Sequence, residues 1–325
     1  MKIKAISPSA YNLFWSNADQ YYLRYLAEDQ YKDKGLTTDA MLAGTAFDIH
    51  VKAALCKDLM KVVPDNMLLH NQLEKQVEDK TIYPRILEIG QELLDFYKSC
   101  GAYAELLNSI SKSIVSPVFE FYVNATVKGV PLKGFPDAFW VSESGLNITA
   151  DWKVNGYYSK GAPKKGYVKD HTGGKRHKNC LLTKYKGVAI NIGCMFEDIS
   201  VDWAVQQCIY NWAMGSPVGS DFIIMLEQIA CNPHRCFSYK SLASRQFQKE
   251  LLLKLQIMWE IIQSDHFYRG NLGEYIRACK ENNYTLIPDF SFTINKEQSN
   301  MKIKALTRLQ GDPMIRMLRS SCFDH

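Results

Sequence analysis

Long apolar runs are missing from this chain of 325 residues. None approaches the roughly 20 residues that carry a helix across a bilayer, so helical membrane spans are excluded. The opening stretch "MKIKAISPSAYN" lacks the apolar centre of a secretory signal, so a soluble, unexported protein is expected. Paired CxxC spacing is also missing. The nine cysteines (56, 100, 180, 194, 208, 231, 236, 279 and 322) are odd in number and irregularly placed. They read as free thiols in a reducing compartment, not as a disulfide framework. Two local groupings mix His with Cys: "HTGGKRHKNC" (His171, His177, Cys180) and "CNPHRC" (Cys231, His234, Cys236). Neither has the ligand spacing of a structural zinc site, and neither is read as one. Internal repeats and a strong interdomain linker are absent as well.

What is present is an ordinary globular composition. Hydrophobic residues make up 46% and charged residues 22%, which excludes a disordered or fibrous chain. The net charge of +5 conceals an asymmetry. Residues 160–186 hold nine Lys/Arg against one Asp, so the remainder carries 30 basic against 33 acidic residues. The segment also contains Gly161, Gly166, Gly173 and Gly174. A positive, Gly-rich loop suits a phosphate backbone, although a charge run is also compatible with a solvated loop that binds nothing.

The texture of the chain changes twice. Ser7 before Pro8 is a helix start signal, and apolar residues at 11, 14, 15, 22, 25 and 26 give one helical face. "TTDAMLAGTAFDIHVKAALCKDL" reads as a second helix capped by Thr38 or Asp39, and 68–110 as helical with an interruption near Pro84. From 116 to 154 the sequence alternates, with turn signals at Lys128-Gly129 and Ser144-Gly145, which predicts an antiparallel meander of about three strands. "GVAINIGCMFED" suggests a further strand, and "DISVDWAVQQCIYNWAMG" a helix ending at Gly215. "GSDFIIMLEQIAC" and "HRCFSYKSL" read as strands and 243–264 as a long helix, and the tail from about 290 has little pattern. The expected fold class is α/β, a mixed central sheet flanked by helices with a helical N-terminal region.

"ITADWKV" ends an apolar strand in Asp151, Trp152 and Lys153. Residues two apart on a strand share a face, so Asp151 and Lys153 stand together and Trp152 faces the other way. That pair suits either a salt bridge or a metal-dependent site. Asp137 precedes the neighbouring strand, and the Ser144-Gly145 hairpin can bring it to Asp151. Two converging carboxylates are hard oxygen ligands of the type Mg²⁺ prefers, and Lys153 beside them could orient water or offset charge on a phosphoryl group.

Pro136-Asp137, thirteen residues, then Asp151-x-Lys153 resembles the signature of the PD-(D/E)xK nuclease superfamily. "AGTAFDIH", with Gly44-Thr45 four residues ahead of Asp48, and "QQCIY", with Gln206 and Tyr210 on one helical face, resemble the first and last motifs of its RecB-like branch. "SPSAYNLFW…QYYLRYL" is similar to that branch's opening helix, and the stretch from "WAVQQCIY" through "FYRG" looks like RecE-type (exodeoxyribonuclease VIII-like) phage exonucleases. The resemblance runs from about residue 7 to 270. Two positions depart from it. Asp48 stands where many relatives have His, with His50 two further on, and Asn17 stands where iron–sulfur members carry a Cys, so no iron–sulfur cluster is predicted.

The resemblance implies a restriction-endonuclease-like fold and a Mg²⁺- or Mn²⁺-dependent deoxyribonuclease giving 5′-phosphates, with an exonuclease favoured. A structure-specific endonuclease and an inactive DNA-binding protein on the same fold are the alternatives. Asp48, Asp137 and Asp151 would hold metal together with the Trp152 carbonyl, Lys153 would act on water, and Gln206 and Tyr210 would support the site and contact DNA. Lys164, Lys165, Lys175, Arg176 and Lys178 would meet the DNA backbone. Glu120, on the strand leading into the hairpin, reads as solvated strand surface, with a further ligand as the alternative. The implied domain plan is one nuclease domain over 1–290, then a tail 291–325. Within that domain, residues 1–112 would be mainly helical, and 113–290 would form the catalytic core carrying the basic insertion 156–190. A single-strand annealing recombinase and further copies of the chain are the implied partners, in the cytoplasm of a bacterial cell or phage-infected host.

Overall fold

A computed structural model of the chain describes residues 3–26, 39–61, 80–155, 169–171, 181–192 and 195–263. They fall into two compact units: Met1–Asp33 with Asn124–Lys133 and Lys249–His325, and Lys34–Val123 with Gly134–Gln248.

In the first unit, the Ser7 hydroxyl accepts from the Ala10 amide at 3.2 Å and opens α1 (Pro8–Ser16), with Pro8 at the helix start. Helix α2 (Ala18–Tyr25) follows. Phe14 meets Tyr21 edge-on at 5.1 Å. Ile6 is wholly buried and exchanges backbone hydrogen bonds with Pro131 and Lys133.

The second unit begins with α3 (Asp39–Met60). This helix is apolar on two sides. Phe47, Val51 and Leu55 join the main core, while Leu42, Ala46 and Ile49 join a smaller cluster with Ile86. Helices α4 (Tyr83–Ser99) and α5 (Ala102–Ser111) complete this layer. Pro84 lies in the first turn of α4, and residues 80–82 just before it are not helical, so the interruption expected near Pro84 falls at the start of this helix. The predicted stretch 68–79 lies outside the described residues.

The described residues form these strands, in chain order, with β2 and β3 mainly in the first unit: β1 (Val118–Phe119), β2 (Val123–Val127), β3 (Val130–Gly134), β4 (Ala138–Val141), β5 (Asn147–Asn155), β6 (Lys169–Asp170), β7 (Leu181–Tyr185), β8 (Val188–Ile192), β9 (Ile223–Cys231) and β10 (His234–Leu242). Six form a mixed sheet in the order β1-β4-β5-β9-β10-β6. Among the described residues of this sheet, β5 and β9 are the parallel pair, with Asp151 opposite Leu226 and Trp152 opposite Glu227. A parallel pair needs a crossover, and α6 (Phe196–Ile199) with α7 (Val201–Ala213) lies on it. Gly215, at φ +94°, follows α7 in the left-handed conformation that favours glycine.

The predicted meander is broken in two. Both turns are where the sequence placed them, but β2–β3 is a separate two-stranded ribbon, and β1 pairs with β4 in the main sheet. A second ribbon, β7–β8, takes up the end of the basic segment. Ile223 to Ala230 are buried without alternation, as expected for a strand covered on both faces. Helix α8 (Arg245–Gln263) begins in the second unit. Among the described residues, no helix is long and apolar enough to cross a membrane.

Candidate active site

The β5 pleat separates its side chains as the sequence requires. Trp152 is buried in the core on the side of Phe47 and Tyr97, while Asp151 and Lys153 face α7. Asp151 and Lys153 form an ion pair. Gln206 on α7 bridges them: its carbonyl accepts from Lys153 Nζ at 3.1 Å and its amide donates to Asp151 Oδ1 at 3.1 Å. The same amide lies 3.1 Å from the Tyr210 hydroxyl, one helical turn on. Tyr210 is only 6% exposed. Its ring lies against Gly134, where a Cβ would come 2.2 Å from Tyr210 Cε1. The absence of a side chain at 134 therefore permits this ring position.

Asp137 stands one residue ahead of β4, and its Oδ2 accepts the Trp152 amide at 3.1 Å. That bond ties the carboxylate to the middle of β5. Asp48, on α3, completes the set from a third element. Its Oδ2 pairs with Lys52 at 2.5 Å, and its Oδ1 is buried with no hydrogen-bond partner. Asp48, Asp137, Asp151 and Lys153, the candidates named from sequence, thus occupy one neighbourhood, with Gln206 and Tyr210 behind Asp151 and Lys153. His50 turns away and meets the Leu87 carbonyl at 3.1 Å. Lys164, Lys165, Lys175, Arg176 and Lys178 lie outside the described residues.

Lys52 was not foreseen, and Glu120 was expected at the strand surface with a ligand role only as the alternative. Lys52 is 4% exposed and reaches Asp48, Glu120 at 3.3 Å and Asp137 at 3.5 Å. Glu120 therefore joins the cluster through an ion pair and is not merely solvated strand surface. It sits at φ +43°, a left-handed backbone costing about 1–2 kcal/mol for a residue with a Cβ. Its amide donates to the Asp137 carbonyl at 3.0 Å, which helps hold that conformation. The signal for Lys52 was its place four residues after Asp48. Glu120, 68 residues from Lys52, had no such local signal.

Electrostatics mark the cluster as short of positive charge. Asp48, Glu120, Asp137 and Asp151 face Lys52 and Lys153, a formal excess of two negative charges. Burial, reinforced by the Asp137 charge, pushes Asp48 up to about 8 and Asp151 up to about 7, against the opposing pull of the lysines. Carboxylates that hold protons this tightly, with one buried oxygen unpartnered, fit a site that takes a divalent cation bound through oxygen. Beside the acids, Tyr122 and Phe135 are 55% and 60% exposed with rings 5.2 Å apart. They lie two residues from Glu120 and Asp137, respectively.

No protein-family model matches the chain, and no curated protein matches it. Among solved structures, the chain is similar to a candidate exonuclease from Eubacterium rectale, at 13% identity and a TM-score of 0.44 over 80% of each chain. It is also similar to SSO0001, at 13% identity and a TM-score of 0.24, over 68% of this chain and 76% of that one. Neither likeness is close enough to carry an activity or a substrate across. The fold and the site define this chain as a mixed α/β protein with a carboxylate–lysine cluster at the β4–β5 hairpin.

Proposed function

We propose that the chain is a DNA nuclease that hydrolyses phosphodiester bonds with Mg²⁺ or Mn²⁺, working from DNA ends and leaving 5′-phosphates. The observation that carries this reading is the convergence of Asp48, Asp137 and Asp151 with Lys153, each delivered by a different element of the fold or a different strand position. Asp48, Asp137 and Asp151 would hold the cation, with the Trp152 carbonyl as a further oxygen. A divalent cation bound there supplies an activated water and offsets charge on the phosphoryl group. The rest is the work of the side chains. Lys153, held by Gln206, places an ammonium where water or a phosphoryl oxygen must sit. Gln206 also keeps Asp151 Oδ1 in place, and Tyr210 fixes Gln206. Lys52 balances the acids from the helix side. Tyr122 and Phe135 offer exposed faces on which a base beside the scissile phosphate can stack. The sequence resemblance extends the proposal to the basic segment as a backbone contact, to a single-strand annealing recombinase as partner, and to assembly of several copies.

The test compares linear and covalently closed DNA in Mg²⁺, with the wild type, Asp151→Ala and Lys153→Ala. Loss of linear DNA alone, abolished in both variants, is the expected result. Cutting of closed circles would refute action from ends. Metal-independent cutting, or variants as active as the wild type, would refute the site.

A further inference from the structure

The opposite face of the same sheet carries a second polar cluster that the nuclease reading does not use. Trp152 separates the two. It pairs with Glu227 of β9, and Glu227 pairs with Ser238 of β10. Glu227, Cys236 and Ser238 share one face of the sheet by the strand period. Residue 171 directly follows β6, and its amide donates to the Cys236 carbonyl at 3.0 Å, which places His171 over the same spot. One donor atom from each of His171, Glu227 and Cys236 lies within 4.8 Å of the others.

Two features distinguish this group from an ordinary buried network. Glu227 is 1% exposed, and its Oε1 has no hydrogen-bond partner. Ser238 satisfies only the other oxygen, donating to Oε2 at 2.6 Å while also lying 2.6 Å from His171 Nε2. An orphaned, fully buried carboxylate oxygen is costly and calls for a cation or a proton. The donor types are the second feature. Imidazole, thiolate and carboxylate together are borderline-soft, which selects zinc over the magnesium preferred by an all-oxygen site. Cys100, just after α4, donates to the Tyr97 carbonyl at 3.4 Å and puts a second thiol near Cys236, outside the group of three. Neither sequence grouping of His and Cys anticipated this set. His234 stacks on Phe96 at 5.0 Å, and His171 and Cys236 are brought together only by the β6–β10 pairing.

We propose that His171, Glu227 and Cys236, with Cys100 adjacent, bind one zinc ion that pins β6 to the sheet. Zinc bonds of about 2.0–2.3 Å set tetrahedral ligands about 3.5 Å apart, so a small contraction shared by three side chains closes the site. Ser238 then remains as a hydrogen-bonding neighbour that orients a ligand. His171 belongs to the basic segment 160–186, so the ion ties that segment to the sheet that also carries Asp151 on its other face.

The experiment is elemental analysis of full-length protein purified without chelators, followed by Co²⁺ titration of reduced, metal-stripped protein. The expected result is one zinc per chain and a near-ultraviolet thiolate-to-cobalt band. Both are lost in Cys236→Ser and His171→Ala, and both are kept in Asp151→Asn. A wild type with neither zinc nor the thiolate band overturns the proposal. So does Cys236→Ser retaining zinc, which would place the ion at the acidic cluster instead. Should Cys236→Ser fail to fold, the wild-type cobalt spectrum still decides, because the active-site carboxylates bring no thiolate. Nuclease activity is read separately, so failure of either proposal is distinguishable from failure of the other.

Discussion

Replacing Lys52 with methionine isolates the charge balance of the acidic cluster. The ammonium is 4% exposed and contacts Asp48, Glu120 and Asp137, while methionine keeps much of the volume and removes the charge. Breaking a buried pair by removing one partner costs about 3–5 kcal/mol. At pH 7 the loss should fall near the low end, about 3 kcal/mol, because Asp48, at about 8, can keep its proton and escape an uncompensated charge. Above pH 8 that escape separates the two proteins. The wild-type native state sheds the Asp48 proton, and the variant, lacking Lys52, holds it. The variant's native state then binds one more proton, so its stability deficit grows with pH at about 1.4 kcal/mol per unit. A divalent cation replaces the missing charge and should return about 2.7 kcal/mol at a hundredfold excess over its Kd. The assay is urea unfolding followed by tryptophan fluorescence at pH 7 and pH 9, each with chelator or with Mg²⁺. A deficit unchanged between the two pH values and insensitive to Mg²⁺ would refute the assignment of Lys52 as counter-charge to a cation site.

Three further outcomes are expected. Gly134→Ala forces a Cβ to within 2.2 Å of Tyr210 Cε1, so it should cost about 1–3 kcal/mol and lower nuclease activity by displacing Tyr210, and combining it with Tyr210→Ala should recover some of the stability in a double-mutant cycle. Without metal, the contribution of Asp48 and Asp151 is fully present below their ordinary value of 3.8 and is lost as pH rises to about 7–8, because their native values are raised; Mg²⁺ affinity must then increase with pH through that same upper range, and calorimetry in buffers of different ionisation heat should count the released protons. Phe135→Ala should weaken DNA binding by about 1–3 kcal/mol in a fluorescence titration while leaving the unfolding midpoint nearly unchanged, and an unaltered affinity would remove the aromatic pair from the DNA path.

Where chemistry and local geometry coincide, the site was legible from the chain. Asp151 and Lys153 share a face because the strand period is two, and Gln206 and Tyr210 do so because four residues make about one helical turn. Asp137 was reachable because one short hairpin separates it from β5. Lys52 obeyed the helical spacing too, yet its role depends on Glu120 and Asp137, which come from other elements. The broken meander has a similar origin. Both turns are local and were recognised, but whether β3 continues into the sheet or leaves it depends on which edge β4 meets.

The sequence by itself determined the α/β character, most strand and helix positions, and the pairing of Asp151 with Lys153, because each follows from periodicity or from a cap within a few residues. Only the tertiary structure decided the company those residues keep. The parallel β5–β9 pairing gives the sheet two covered faces, one holding Asp151 and Lys153, the other the His171–Glu227–Cys236 group. Burial between those layers is also what raises Asp48 and Asp151, since the free energy of a charge depends on its solvent and neighbours and not on its place in the chain.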